Sequence, residues 1–469
     1  FSRRLYRTSR KGSSMNASSD QLEAFVYDIG SITYRDEANV LAVKSKDYFW
    51  YSPILKEQLD DCVGQLLVIP KTEEEVMTIA AAIARHRIPL TIRGGGTGNY
   101  GQCIPIEGGV VLETTKLNKV LEISEGRVVC EAGARIEQVE KAVAESCQML
   151  SMFPSTKRLA TMGGFVSGGS GGIGSLRNGM LRDGQNITYL RIVTVEEEPR
   201  VIELYGKDIL KAQHAYGTNG IITAMDYALT PAKDWSHTIA LFSNYAAALD
   251  FAKQAQEENL DAFLMTVVER RFAQYYRKLT DYFPPELDAV FSMIAPEAVE
   301  DYNARVKDAG GTVSLAKTLH EIEEANLPPA WECGWNHTTL QALKQEPKVW
   351  TYLQVAYPRP FDPKLVERQM KRYGDELFFH HEMARMDGQI QIFALPILRW
   401  ASKERTYEII HEMEELDGCM IFDPHVITIE DGGMKEIDST LIEFKKEADP
   451  YGLMNPGKTR GWRPEMAKK

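Results

Sequence analysis

The chain has 469 residues, is 44% hydrophobic and 26% charged, and carries a net charge of −12. That length exceeds one core of usual size and predicts two or three domains, while the acidic balance excludes nucleic acid or an anionic membrane surface as the main partner. No apolar run approaches the length of a membrane span, and the six cysteines form no C-x-x-C pair, which points to reduced thiols.

Residues 1–19 read as an extension, with Arg3, Arg4, Arg7, Arg10 and Lys11 among serines ahead of Met15. The composition fits a disordered segment before a start at Met15 better than a transit peptide. A cytoplasmic location is therefore expected, organellar if residues 1–14 are a transit segment. Residues 20–54 form a lead-in of helix and loop, in which Tyr48-Phe49-Trp50-Tyr51 is expected to be buried.

Leu66 to Pro70 is then a strand, and Thr72 with Glu75 makes a capping box for a helix through Arg85. A second strand, Leu90 to Arg93, runs into Gly94-Gly95-Gly96-Thr97-Gly98-Asn99-Tyr100-Gly101-Gln102. Four glycines in five positions leave a backbone that a ligand can approach closely, and consecutive main-chain N–H groups there suit a phosphate. Gly96 to Gly101 also fits the G-x-G-x-x-G of nicotinamide-binding units. That reading needs a helix opening at the last glycine, and Pro105 with Gly108-Gly109 before the strand Val110 to Leu112 excludes one. A strand from Val128 to Gly133 and a helix from Ile136 to Cys147 repeat the strand-helix order, predicting two small α/β lobes with the glycine loop between them.

A second glycine-dense stretch follows Pro154-Ser155-Thr156 and runs from Ala160 to Gly174, with seven glycines in its last twelve positions. The interleaved Phe165, Val166 and Ile173 suit a backbone laid against a flat ligand better than a solvated linker. A third loop, His214-Ala215-Tyr216-Gly217-Thr218-Asn219-Gly220-Ile221-Ile222-Thr223, opens a strand ending at Ala228. Three such loops can enclose a long ligand with a phosphate middle and a planar end.

These motifs, I-R-G-G-G-T-G, P-S-T, A-T-x-G-G-x-x-x-G-G-S-G-G and Y-G-T-N-G-I-I-T, resemble the FAD domain of the vanillyl-alcohol oxidase and p-cresol methylhydroxylase (PCMH) superfamily. Within it they are most similar to the group of FAD-linked oxidases that includes D-lactate dehydrogenases and the glycolate oxidase flavin subunit. The resemblance covers about residues 55–235 and returns at Asp449-Pro450-Tyr451-Gly452-Leu453-Met454-Asn455-Pro456-Gly457-Lys458. It implies an α+β protein with a two-lobed PCMH-type FAD-binding domain at 55–235, an antiparallel-sheet-and-helix cap at 236–425 and a segment, 426–469, that returns to the FAD domain. It further implies that amides at Gly94, Gly95, Gly96, Thr97 and Gly98 hold the pyrophosphate, and that Pro154, Ser155, Thr156, Thr161 and Gly164 line the flavin. Ile222 would hold the adenine side, and Asn455 and Lys458 would reach the flavin ring. Arg93, Gln102, Ser167, Gly168 and Gly217 complete the expected cofactor contacts.

Two departures shape the functional expectation. Relatives that tether FAD through this first loop use a histidine, whereas glycine follows Arg93 through position 96, implying non-covalent FAD and tilting the expectation from oxidase towards dehydrogenase. Relatives that oxidise 2-hydroxy acids usually carry H-x-G-D-G-N-x-H and E-H-G motifs, and neither is present. The corresponding regions read Phe379-His380-His381-Glu382 and His425 to Gly433.

In the cap region, strands at Thr238 to Phe242, Val290 to Ile294, Trp350 to Ala356 and Gln389 to Leu395 alternate with helices at Ala246 to Glu258, Glu300 to Ala309 and Lys364 to Tyr373. This order predicts an antiparallel sheet with helices on one face. Oxidation of a C–H beside a hydroxyl needs a proton acceptor, and histidine titrates nearest neutrality. His337, in Trp331-Glu332-Cys333-Gly334-Trp335-Asn336-His337, and His425 are the candidate bases. Arg399 is the candidate carboxylate clamp. His380, His381 and Glu382 cannot ligate together, because neighbours on a strand face opposite ways, so no metal site is expected.

The expected activity is that of an FAD-dependent oxidoreductase taking a hydride from a small hydroxylated substrate, a 2-hydroxy acid or alcohol. It would pass electrons to a quinone, a carrier protein or oxygen. The alternative is a non-catalytic FAD-carrying subunit of a larger complex. Self-association into a homo-oligomer is left open by the sequence.

Overall fold

The computed structural model describes residues 16–468. The expected extension therefore falls largely outside the described residues; of its last part, Ser18 caps the first helix, Ser19–Ile29, in a reciprocal capping box with Gln21.

The first lobe is a four-stranded sheet ordered Tyr34–Arg35, Leu66–Val68, Val110–Glu113 and Leu90–Arg93. The last three of these are parallel, and Tyr34–Arg35 pairs antiparallel to Leu66–Val68 at one edge. The helix expected after Thr72 spans Glu73–His86, with the Thr72 hydroxyl accepting from the Glu75 amide, and packs Val76, Ile79 and Ile83 into the lobe's core. Leu90–Arg93 and Val110–Glu113 are joined by irregular chain over 94–109 and not by a helix. A parallel crossover without a helix is unusual. The glycine loop itself fills the space a crossover helix would take.

The second lobe differs from the expected α/β repeat. It is an antiparallel sheet ordered Val120–Ser124, Arg127–Glu131, Ile221–Pro231, Tyr189–Val193 and Val201–Tyr205, with Gln148–Leu150 on the far end of the long strand. The 11-residue strand Ile221–Pro231 serves three partners, and that long register, formed with segments far away in sequence, overrides the local strand-helix-strand order. The helix Ile136–Ala144 is present and ends earlier than expected.

The rest of the chain builds an eight-stranded antiparallel sheet. Its order is Thr312–Lys317, Ser236–Phe242, Asp288–Ile294, Ala262–Val268, His380–Met386, Gln389–Ala394, Val355–Ala356 and Met420–Ile421. Helices Tyr245–Glu257, Val299–Asp308, Pro363–Tyr373 and Lys403–Glu415 pack on one face, against Ala240, Val267 and Val290. The other face, with Ile239 and Phe291, carries Leu319–Glu324 and Asn336–Gln345. Helices thus cover both faces, which corrects the one-face expectation. The expected strand Trp350 to Ala356 is broken: Trp350–Tyr352 joins a separate three-stranded sheet, and only Val355–Ala356 enters the large one.

The C-terminal segment returns to the first lobe. Met454 bridges Leu90 in parallel, and the Asn455 amide donates to the Leu90 carbonyl at 2.6 Å. The last motif of the sequence is therefore laid beside the strand that feeds the first glycine loop.

Candidate functional site

A cleft open to solvent lies between the two lobes and the large sheet, and it runs along all three glycine loops. Gly94, Gly95, Gly96, Thr97, Gly98 and Gln102 line one wall, together with Pro154, Ser155, Thr156, Thr161, Gly164, Ser167, Gly168, Gly217 and Ile222. The three glycine loops thus converge as the sequence pattern requires.

The first loop is packed against the second. A Cβ on Gly95 would collide with the Leu159 carbonyl, and one on Gly94 with the Thr161 hydroxyl. The second stretch is a short helix, Met162–Gly168, rather than an open loop; Thr161 caps it by accepting from the Gly164 amide at 3.2 Å. Its start is held to the second lobe by the Gly163 amide, which donates to the Ala132 carbonyl at 2.7 Å. Among the described residues, none of the amides of Gly95, Gly96, Thr97, Gly98 and Asn99 donates to a protein acceptor. Five successive free donors along one wall form a nest for an anion.

Gly96 has φ +66°, and a Cβ there would overlap the Arg93 guanidinium. Position 96, a glycine in the left-handed region, supplies no side chain that could tether a cofactor. Arg93 itself turns away from the cleft wall. Its Nη1 donates to the carbonyls of Lys44 and Lys46 in the lead-in, while Nε is buried without a partner. Asn455 and Lys458 also stand behind the wall and not in it. Asn455 Nδ2 donates to the carbonyls of Gln102 at 2.7 Å and Tyr216 at 2.6 Å, so one side chain pins the first loop to the third. The fully buried Lys458 ammonium donates to the Gly101 carbonyl, and burial lowers its pKa to about 8.

The opposite wall is made of side chains from the large sheet and its helices, chiefly Trp335, Asn336, Gln354, Phe393, Leu395 and Phe422. Trp335 has φ 51° and ψ −139°, a conformation costly for a bulky residue. It is held there by Glu382, whose Oε1 accepts from the Trp335 amide at 2.7 Å, from Thr266 Oγ1 at 2.7 Å and lies 3.1 Å from His380 Nδ1. His380 Nε2 in turn lies 3.0 Å from Thr339 Oγ1. His381 faces the other way, 2.8 Å from the Tyr245 hydroxyl, as strand alternation requires. Tyr100 on the glycine-loop side donates to Gln354 Oε1 and ties the two walls together.

The three residues put forward for chemistry are placed elsewhere. His337 is one residue past the cleft-lining Asn336, on the first turn of a helix, and that step rotates it out of the cleft; burial lowers its pKa to about 4. His425 is buried between the lead-in and the returning chain, with Nδ1 2.7 Å from Ser52 Oγ, and burial lowers its pKa to about 3. Arg399 is exposed, donates to the Asp375 carbonyl at 3.3 Å and lies over the Trp350 ring at 4.7 Å. It is a surface residue of the three-stranded sheet and no carboxylate clamp.

Sequence reasoning missed Asp47. Its carboxylate lines the cleft, accepts from the Phe49 amide at 2.9 Å and approaches Cys103 Sγ at 3.8 Å. Burial raises its pKa to about 6, opposed by Lys458 and Arg93. The lead-in carries no motif. Its one trace of function is a buried aromatic run next to an acid, and only the bond from the Tyr48 amide to the Gly98 carbonyl, 2.7 Å, brings that segment under the glycine loop.

The site is thus a main-chain cradle between two lobes, roofed by an antiparallel sheet. Residues 64–202 match the protein family described as "FAD binding domain", so this part of the chain is an FAD-binding domain. The chain is similar to the glycolate oxidase subunit GlcD of Bacillus subtilis, 29% identical over 195 residues, which is 39% of this chain and 40% of that protein. It is also similar to the D-lactate dehydrogenase of Archaeoglobus fulgidus, 32% identical over 145 residues, 31% of this chain and 32% of that protein. The matched region thus spans less than half the length of these relatives. Across the whole fold it superposes on alkyldihydroxyacetonephosphate synthase with a TM-score of 0.70 at 13% identity, covering 92% of this chain and 84% of that one. A Physcomitrella patens BBE-like 1 variant superposes with a TM-score of 0.64 at 12% identity, covering 93% of this chain and 98% of that one.

The residues present fit FAD. The free amides of residues 95–99 suit its pyrophosphate, and the buried, unpartnered Nδ2 of the cleft-lining Asn99 suits a polar ligand.

Proposed function

We propose that this protein is an FAD-dependent oxidoreductase acting on a CH–OH group, with FAD held non-covalently in the glycine cradle and substrate admitted between FAD and the side-chain wall. The observation that carries the reading is the two-walled cleft: a cofactor-binding subunit without chemistry of its own has no need of a second wall tied across by Tyr100 and Gln354. Bound FAD would supply a two-electron acceptor. The chain's part is then to exclude water with Trp335, Phe393 and Phe422, to orient the substrate through Asn336 and Gln354, and to take the hydroxyl proton. We assign that last role to Asp47, a base with a pKa raised towards neutrality in the cleft itself.

Anaerobic addition of 2-hydroxy acids and alcohols to the FAD-loaded protein is expected to bleach the flavin band with at least one of them. Failure across a broad panel, with FAD bound, would overturn the reading. Denaturation of the same sample should release FAD into solution, since position 96 cannot hold a tether.

A further inference from the structure

The side-chain wall carries information about the substrate that the cofactor does not. Trp335, Val355, Phe393, Leu395 and Phe422 make it apolar. Among the described residues lining the cleft, Asp47 is the charged one, and it is an acid. The cations that adjoin the cleft in sequence are engaged elsewhere: Arg93 with the carbonyls of Lys44 and Lys46, Lys46 with those of Leu59 and Asp60, Lys458 with that of Gly101, Lys435 with those of Leu210 and Gln213, Lys157 with Glu140 and Arg158 with Glu332. Arg399 is on the surface.

One helix of adequate length starts at the side-chain wall, Asn336–Gln345, and its positive end could in principle attract an anion. Glu382 already occupies it: the carboxylate accepts from the Trp335 amide, and the amides of His337 and Thr338 go to the carbonyls of Gly334 and Trp335. The polar side chains of that wall are Asn336, whose Oδ1 is buried without a partner, and Gln354, and their neutral carboxamides supply no positive charge to a carboxylate.

Resting on the oxidoreductase reading above, we infer that the substrate of this cleft is an uncharged, largely apolar hydroxy compound, and that a carboxylate on the substrate is selected against by Asp47 and the apolar wall. Placing an acid against a like charge in a desolvated site, with no cation on the cleft to pair it, is unfavourable.

The test uses the full-length FAD-loaded protein and two independent readouts. In the first, benzamide and benzoate are titrated into the oxidised protein and binding is followed by perturbation of the flavin spectrum. Benzamide is expected to bind at least about tenfold more tightly. Equal affinity, a preference for benzoate, or no binding by benzamide overturns the inference. In the second, matched 2-hydroxy acids and 2-hydroxy amides are mixed anaerobically with the protein, and the amide of each pair is expected to reduce the flavin faster. Faster reduction by the acids overturns the inference and leaves the oxidoreductase reading intact. A clear benzamide preference with no reduction by any compound overturns the oxidoreductase reading and leaves the inference intact.

Asp47→Asn should narrow the benzamide preference and Asp47→Glu should keep it. Should Asp47→Asn not retain FAD, Gln354→Lys places a cation on the same cleft and is expected to shift the ratio towards benzoate; no shift in either variant overturns the role given to Asp47.

Discussion

The two walls of the cleft are built by opposite means. The cofactor wall is main chain: Gly94 to Gly98 present amides, and Thr161, Gln102 and Asn455 lock the loops from behind. The substrate wall is side chain: Trp335 and Asn336 come from a helix start, Gln354 from the gap between two strands of different sheets, and Phe393 from a strand of the large sheet. A backbone that must pass close to a ligand can tolerate only glycine at certain points, so it marks the sequence with a motif. A wall of side chains marks nothing, because each residue is an ordinary core residue until the fold brings it to the cleft.

The sharpest way to break this contrast is Gly95→Val. Its side chain would have to displace the Leu159 carbonyl and separate the first loop from the second. FAD affinity should fall at least about a hundredfold, roughly 2.8 kcal/mol, in apoprotein reconstitution followed by flavin fluorescence. Retention of FAD at wild-type affinity would mean that the cradle does not depend on that close approach.

Asp47→Asn addresses the one charged residue among the described residues lining the cleft, beneath the glycine loop. FAD should stay bound, while flavin reduction slows by about a hundredfold, the ordinary contribution of a general base. The sign of the pH dependence follows from the raised carboxyl pKa. Asp47 accepts a proton only when ionised, so the wild-type reduction rate should rise with pH through about 6, and Asp47→Asn should lose that limb. An unchanged profile would assign the base elsewhere.

Asn455→Ala removes two buried bonds that join Gln102 to Tyr216. At about 1 kcal/mol each, FAD should bind roughly ten- to thirtyfold more weakly, with little change in the reduction rate of protein saturated with FAD. A loss in rate without loss of affinity would place Asn455 at the reacting ring and not behind the cradle. The smallest effect is expected for Arg399→Ala, which should leave FAD affinity and reduction unchanged and shift stability by no more than about 0.5 kcal/mol in a chemical melt. A large fall in reduction would restore the clamp that its surface position removes.

Legibility in the sequence followed the same division. Helices with caps and amphipathic stripes, such as Glu73–His86 and Pro363–Tyr373, lie within a residue of where their signals put them, because the cap and the stripe are local. The second lobe did not, because its antiparallel register is decided by pairing Ile221–Pro231 with strands some 30 to 100 residues away. The segment around His337 was singled out for the right reason, a polar and aromatic cluster, yet the cleft takes Trp335 and Asn336 from it; which neighbour on a helix turn faces inward is not written in composition. Asp47 lay in a lead-in with no motif at all.

The sequence by itself pointed to the cofactor: three glycine loops call for a ligand with a phosphate middle and a planar end, since close backbone approach restricts residue type at fixed positions, and the resemblance they carry together with the Asn455 to Lys458 ending names FAD. Only the tertiary structure decided what faces that cofactor. It put Arg399 outside, left His337 half-buried beside the cleft and His425 fully buried away from it, and brought Asp47 beneath the loop, because the charge and shape of a side-chain wall depend on how distant segments pack and not on any one of them.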